Sequence, residues 1–152
     1  MDTRDMDEDV PDRESGEQYD PNPEERGKGI SALVALLGAW MIAEGILFDL
    51  VATQFWNDVI VGVLLLAVGG YNYMRRSDEQ LGNLAAALLV ALLGLWLLAA
   101  PFMFGADAGT TETMNDLGFW NDLIVGMLAL ALGGYSAYEI RERQQRVEAP
   151  AG

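Results

Sequence analysis

The chain has 152 residues, 51% of them hydrophobic, and sets 23 acids against nine lysines and arginines for a formal net charge of −14. It contains neither cysteine nor histidine, which excludes disulfides, thiol redox chemistry, zinc sites of the usual kind and axial histidine ligation of haem. The length suits one domain, in which the acids gather in tails and connections and the apolar residues in four blocks.

Residues 1–29 are rich in Asp, Glu, Pro and Gly. Such a segment buries too little apolar surface to offset its ordering entropy, so a disordered acidic cytoplasmic tail is expected there. It lacks the apolar core of a signal peptide, and the first apolar block is expected to serve as its own insertion signal. The four blocks cover residues 30–50, 58–74, 83–104 and 122–137. A bilayer core about 30 Å thick takes roughly 20 apolar residues per helix, and each block is near that length, the second and fourth being short. A soluble protein would need four helices apolar on every side, with little amphipathic surface to cover them. Residues 139–152 form a cytoplasmic tail that extends the last helix by a turn or two.

The blocks are duplicated. The stretch from Phe55 to Tyr71, FWNDVIVGVLLLAVGGY, recurs from Phe119 to Tyr135 as FWNDLIVGMLALALGGY, and the four differences exchange apolar for apolar. The odd blocks repeat as well: Leu36 to Phe48 aligns with Leu92 to Phe104 through a shared Leu-Leu-Gly-x-Trp. The repeating unit is therefore a helical hairpin used twice in one orientation, unit one over 30–76 and unit two over 83–138. Repeats in one orientation are related by an axis along the membrane normal. The expected fold is all-α, a bundle of four transmembrane helices built from two tandem hairpins over 30–138.

Basic residues orient the bundle. Arg26 and Lys28 precede the first span, Arg75 and Arg76 follow the second, and Arg141, Arg143 and Arg146 follow the fourth. The connections 49–57 and 105–121 have no Lys or Arg. By the positive-inside rule both termini and the middle loop are cytoplasmic, in the cell membrane. The acid excess with a single lysine matches surfaces adapted to very high salt, where screening removes self-repulsion, and suggests a halophilic archaeon.

The tripeptide Ala100-Pro101-Phe102, after Gly94-x-Trp96 and before Gly105 and the second Trp-Asn-Asp segment, resembles the SPW repeat family of integral membrane proteins over about residues 30–138. The namesake Ser-Pro-Trp stands here as Ala-Pro-Phe in unit two and as Glu44-Gly45-Ile46 in unit one. The resemblance implies a bacterial or archaeal membrane protein and carries no established activity.

Glu44 is the sharpest candidate for chemistry, lying about 7 Å of helix inside the outer boundary. An acid in hydrocarbon by default marks an ion, proton or ligand path; the competing reading is a hydrogen bond inside the bundle or a reach to the headgroups. The equivalent position in span three is Ala100, which offers no partner. Asn57, Asp58, Asn121 and Asp122 form a polar cluster at the outer mouth. Helix capping, with Trp56 and Trp120 as interfacial anchors, explains them more simply than a cation held between the two aspartates. Trp40 and Trp96 lie mid-span, and each indole N–H needs an acceptor, so both are expected to face inward against the other unit. Gly62, Gly69, Gly126 and Gly133, seven apart in each span, are read as close-packing positions. Pro101 should kink span three near its end, and Arg75, Arg76 and Arg141 should contact headgroups.

No nucleophile–base pair, phosphate loop or metal-ligand cluster is apparent, so no catalytic residue, cofactor or metal site is expected and the chain is read as a non-enzyme. Its partners are the lipid bilayer and a second copy or another membrane protein; nucleic acid is not among them, and any small-molecule or ion ligand stays unidentified. The favoured reading is a structural or accessory component acting by helix packing. The alternative is a small ion or proton transporter or channel subunit using Glu44, which would need oligomerisation because four helices leave little room for a pore.

Overall fold

The computed structural model describes residues 21–104 and 116–148. They form four helices and no strand: α1 (Lys28–Leu47), α2 (Ala52–Ser77), α3 (Leu84–Met103) and α4 (Asp116–Glu148). All four are long and apolar enough to cross a membrane. The expected class, an all-α bundle of two tandem hairpins, is the one observed: α1 packs mainly on α2, α3 mainly on α4, and the hairpins join through α2–α3 and α1–α4. With 20 residues each, α1 and α3 are about 30 Å long, one bilayer core. The even helices are longer than their apolar blocks. α2 begins six residues before Asp58, and α4 runs on to Glu148. Pro101 lies in the last turn of α3, two residues before its end.

The duplication sets which face of each helix is buried. In α2 the buried stripe is Gln54, Asp58, Val61, Gly62, Leu65, Gly69, Asn72 and Arg76. Adding 64 to each number gives a buried residue of α4. Adding 56 to each buried residue of α1 likewise gives a buried residue of α3. Spacings of three and four keep each stripe on one side of its helix. The stripes meet in an apolar core built from Val34, Met41, Val61, Leu65, Val90, Leu97 and Val125. Large apolar side chains on the opposite faces, such as Leu36, Ile60, Leu92 and Ile124, are exposed, as a bundle solvated by lipid requires.

Glycine sets the spacing inside each hairpin. A Cβ on Gly38 would lie 2.5 Å from the Gly62 carbonyl oxygen, and one on Gly94 would lie 2.7 Å from that of Gly126. Gly69 approaches the Ala35 backbone, and Gly133 approaches the backbone of Ala87 and Ala91, as closely. Gly62, Gly69, Gly126 and Gly133 are thus close-approach positions, and Gly38 and Gly94 on the odd helices are the partners of Gly62 and Gly126. This is the small-residue contact by which helices associate in lipid.

The expected tail over 1–29 lies outside the described residues for 1–20, whereas 21–29 follows a defined course against the bundle. Asn22 is buried there. Its N–H donates to the Glu79 carbonyl at 2.8 Å, and its side chain accepts from Arg143 Nη1 at 3.0 Å. The turn between α2 and α3 is pinned by Asn72, whose Oδ1 accepts from the Asn83 N–H at 2.7 Å. Asn83 in turn caps α3 by accepting from Ala86 N–H at 3.0 Å.

Candidate functional site

Three acids converge at the end of the bundle that carries the α1–α2 turn. Glu44 lies three residues before the end of α1, and Asp58 and Asp122 lie six residues into α2 and α4. All three are fully buried, and each offers a carboxylate oxygen within 4.8 Å of the other two. The two aspartates occupy one repeat position, on the same helix face as Gly62 and Gly126 four residues on, so packing the even helices drives them into the interior. Glu44 shares its buried face with Met41 and Gly38, the latter packed against the backbone of α2.

Asp58 Oδ1 accepts from Asn57 Nδ2 at 3.1 Å. Among the described residues, the other five carboxyl oxygens of the three acids have no hydrogen-bond partner. The ion pairs among these residues all lie at the opposite end of the bundle. Leaving ions uncompensated in an interior costs several kcal/mol each, so this centre has to take up positive charge, as protons or as a cation.

Two symmetric latches flank the acids. Trp40 Nε1 donates to Asn121 Oδ1 at 2.8 Å, and Trp96 Nε1 donates to Asn57 Oδ1 at 2.7 Å. Each bond joins one hairpin to the other. Each indole also meets a phenylalanine edge-on, Trp40 with Phe48 and Trp96 with Phe104, at 6.0 Å between centroids. The tryptophans do reach acceptors on the other unit, but they sit on the flank of the bundle, 41% and 38% exposed, rather than inside it.

The helix-start role expected for the four mouth residues does not hold. The N-cap of α2 is Val51, whose side chain makes no cap bond, and α4 starts at Asp116. Asn57, Asp58, Asn121 and Asp122 are therefore interior helix positions, where their side chains serve the tertiary structure. Where no metal-ligand cluster was expected, the structure assembles a donor set of three carboxylates. The three carboxyls come from three helices, so no local spacing announces them. The signal that could have found them is the four-residue step from each aspartate to a packing glycine.

Arg76 is the residue that sequence reasoning misplaced. It was expected among headgroups and is 1% exposed. Its guanidinium donates to the Arg26 carbonyl at 2.7 Å and to Ser136 Oγ at 2.9 Å, and lies 3.6 Å from Glu139. Glu139 also pairs with Arg143 at 3.3 Å. Arg75, one residue before, donates to the Leu81 carbonyl at 3.1 Å, while Arg141 is exposed. The charges at the terminal end of the bundle are thus paired, unlike those of the acids, although Arg76 Nε has no hydrogen-bond partner among the described residues.

A family model described as the SPW repeat domain matches residues 28–139, from the first residue of α1 into the last turns of α4. No curated protein and no solved structure matches the chain.

Proposed function

This chain belongs to the SPW repeat family, and from that premise we propose that it is a multi-pass membrane protein that handles cations or protons at a centre formed by Glu44, Asp58 and Asp122. The observation that carries the reading is the convergence of three fully buried carboxyls with five unpartnered oxygens. Packing alone favours an apolar residue at such positions, as Ala100 stands in α3 at the equivalent of Glu44. Intramembrane acids that face a bundle interior mark ion and proton sites by default. The centre therefore ranks ion handling above a purely structural role, and binding above catalysis.

We place the acid centre toward the outer face and both termini in the cytoplasm. Arg26, Lys28, Arg75, Arg76, Arg141, Arg143 and Arg146 support this, since all lie at the end of the bundle away from the acids. The acid-rich, lysine-poor composition supports a high-salt habitat. The close-packed glycine pairs favour a second reading, a packing component whose centre stays permanently protonated.

The test is flux in proteoliposomes. Ion handling predicts proton or cation movement with the wild-type chain and its loss in Glu44→Gln and in Asp58→Asn/Asp122→Asn. No movement with wild type, or unchanged movement in both variants, leaves the packing reading in possession.

A further inference from the structure

We infer that the centre is a binding site for one hard divalent cation of the calcium or manganese class, held by Glu44, Asp58 and Asp122 and clamping the two hairpins together. The inference rests on the ion-handling reading and names its ligand. Three observations carry it. The donor set is all carboxylate, which suits Ca²⁺, Mn²⁺ and Mg²⁺ and not the softer metals. The mutual reach of 4.8 Å fits one shared ion, because ligands at about 2.3–2.6 Å from a common centre lie at most about 5 Å apart. Glu44 is fully buried, sends its carboxyl into this cluster, and among the described residues has no hydrogen-bond partner on either oxygen.

Charge balance points the same way. Three carboxylates carry three negative charges, so one divalent ion and one proton leave the centre neutral, as a site inside a bilayer requires. Converting any one of the acids to its amide leaves two charges, which a divalent ion matches without a proton. The ligands lie on α1, α2 and α4, so the ion would tie unit one to unit two, whose helices touch far less across the hairpins than within them. Binding should therefore show as stabilisation of the whole bundle, because a ligand specific to the folded state adds RT ln(1 + [L]/Kd).

The experiment uses the full chain purified in detergent, stripped with chelator, and titrated with Mn²⁺ followed by electron paramagnetic resonance, with Ca²⁺ as competitor. Thermal unfolding is recorded with and without each ion. Wild type is expected to bind one Mn²⁺ displaceable by Ca²⁺, and to unfold at higher temperature with the ion. Glu44→Gln should bind about tenfold more weakly, because it removes one of the three charged ligands. Asp58→Asn/Asp122→Asn should lose the tight site while keeping its helical circular dichroism. Should that variant fail to fold, Glu44→Gln alone decides, since unchanged affinity there would overturn the assignment. An equivalent of Mn²⁺ that survives in the triple amide variant belongs to the acidic tails and also overturns it. Proton flux through wild type without Mn²⁺ or Ca²⁺ binding overturns the divalent site and leaves the ion-handling reading standing. Absence of both flux and binding removes both.

Discussion

Repeat unit one and repeat unit two bury the same positions and put different chemistry in them. Asp58 with Asp122 and Asn72 with Ser136 keep polarity on both sides of the pseudo-symmetry. At four other buried pairs only unit one is polar: Ser31 against Ala87, Glu44 against Ala100, Gln54 against Gly118, and Arg76 against Ile140. Unit two answers with small or apolar residues, and in one case the reason is visible. A Cβ on Gly118 would lie 2.7 Å from Gln54 Cδ, so the glycine makes room for the glutamine head. Duplication supplied a frame of apolar stripes and glycine contacts, and divergence placed one extra acid near one end and one buried arginine near the other. Both ends need charge balance; only the arginine finds it within the described residues.

The largest expected effect comes from erasing this difference at the acids. Ala100→Glu puts a fourth carboxyl where the symmetry places it, and the chain should lose more than about 3 kcal/mol of stability, the scale of an uncompensated buried charge. The double variant Glu44→Ala/Ala100→Glu moves the odd acid from unit one to unit two and restores a count of three. If the units are interchangeable in shape, it should recover most of that loss in thermal unfolding. A double variant as unstable as Ala100→Glu would show that the centre is shaped for unit one alone.

Arg76→Leu is the corresponding change at the terminal end, since it gives unit one an apolar residue like Ile140. Glu139 would keep Arg143 as a partner, whereas Ser136 and the Arg26 carbonyl would lose their donor. A cost of about 3 kcal/mol is expected, the low end for breaking a buried pair. Proteolysis at the N-terminal strap formed by residues 21–27 should become faster, because one of its anchors is that carbonyl bond. An unchanged cleavage rate would separate the strap from the arginine.

Gly38→Ala and Gly94→Ala test whether the frame itself is symmetric. Each adds a methyl group against backbone atoms of the partner helix, which cannot rotate away, and each should cost about 1–3 kcal/mol. Similar losses for the two are expected, whereas Gly70→Ala and Gly134→Ala, with nothing within 4 Å of the added carbon, should be silent.

The fold was readable in the chain because lipid imposes one rule on every span, and four apolar blocks with a repeated sentence obey it. The site was less readable because it depends on rotation about each helix axis. Glu44 announced itself as an acid among apolar neighbours, but Asp58 and Asp122 lie beside asparagine and tryptophan and pass for helix starts until the helices are seen to begin earlier. Arg76 was hidden by Arg75: two adjacent arginines read alike in sequence, yet the steps 69, 72, 76 put only the second on the buried face. Trp40 precedes Met41 by one residue, about 100° of rotation, which is enough to move an indole from the core to its flank.

The smallest expected effect is at the latches. Trp40→Phe and Trp96→Phe each remove one indole N–H while keeping an aromatic ring beside Phe48 or Phe104, so each should cost about 1 kcal/mol, the net value of one hydrogen bond. The consequences differ by unit. Trp96 holds Asn57, whose other end donates to Asp58. Trp40 holds Asn121, whose amide nitrogen points instead to Met41 Sδ at 3.8 Å. Losing Trp96 therefore loosens the one neutral donor that, among the described residues, reaches the acids, and Trp96→Phe should weaken Mn²⁺ binding two- to threefold. Trp40→Phe should leave it unchanged at equal loss of stability. Equal effects on binding would mean that both latches act only by holding the hairpins together.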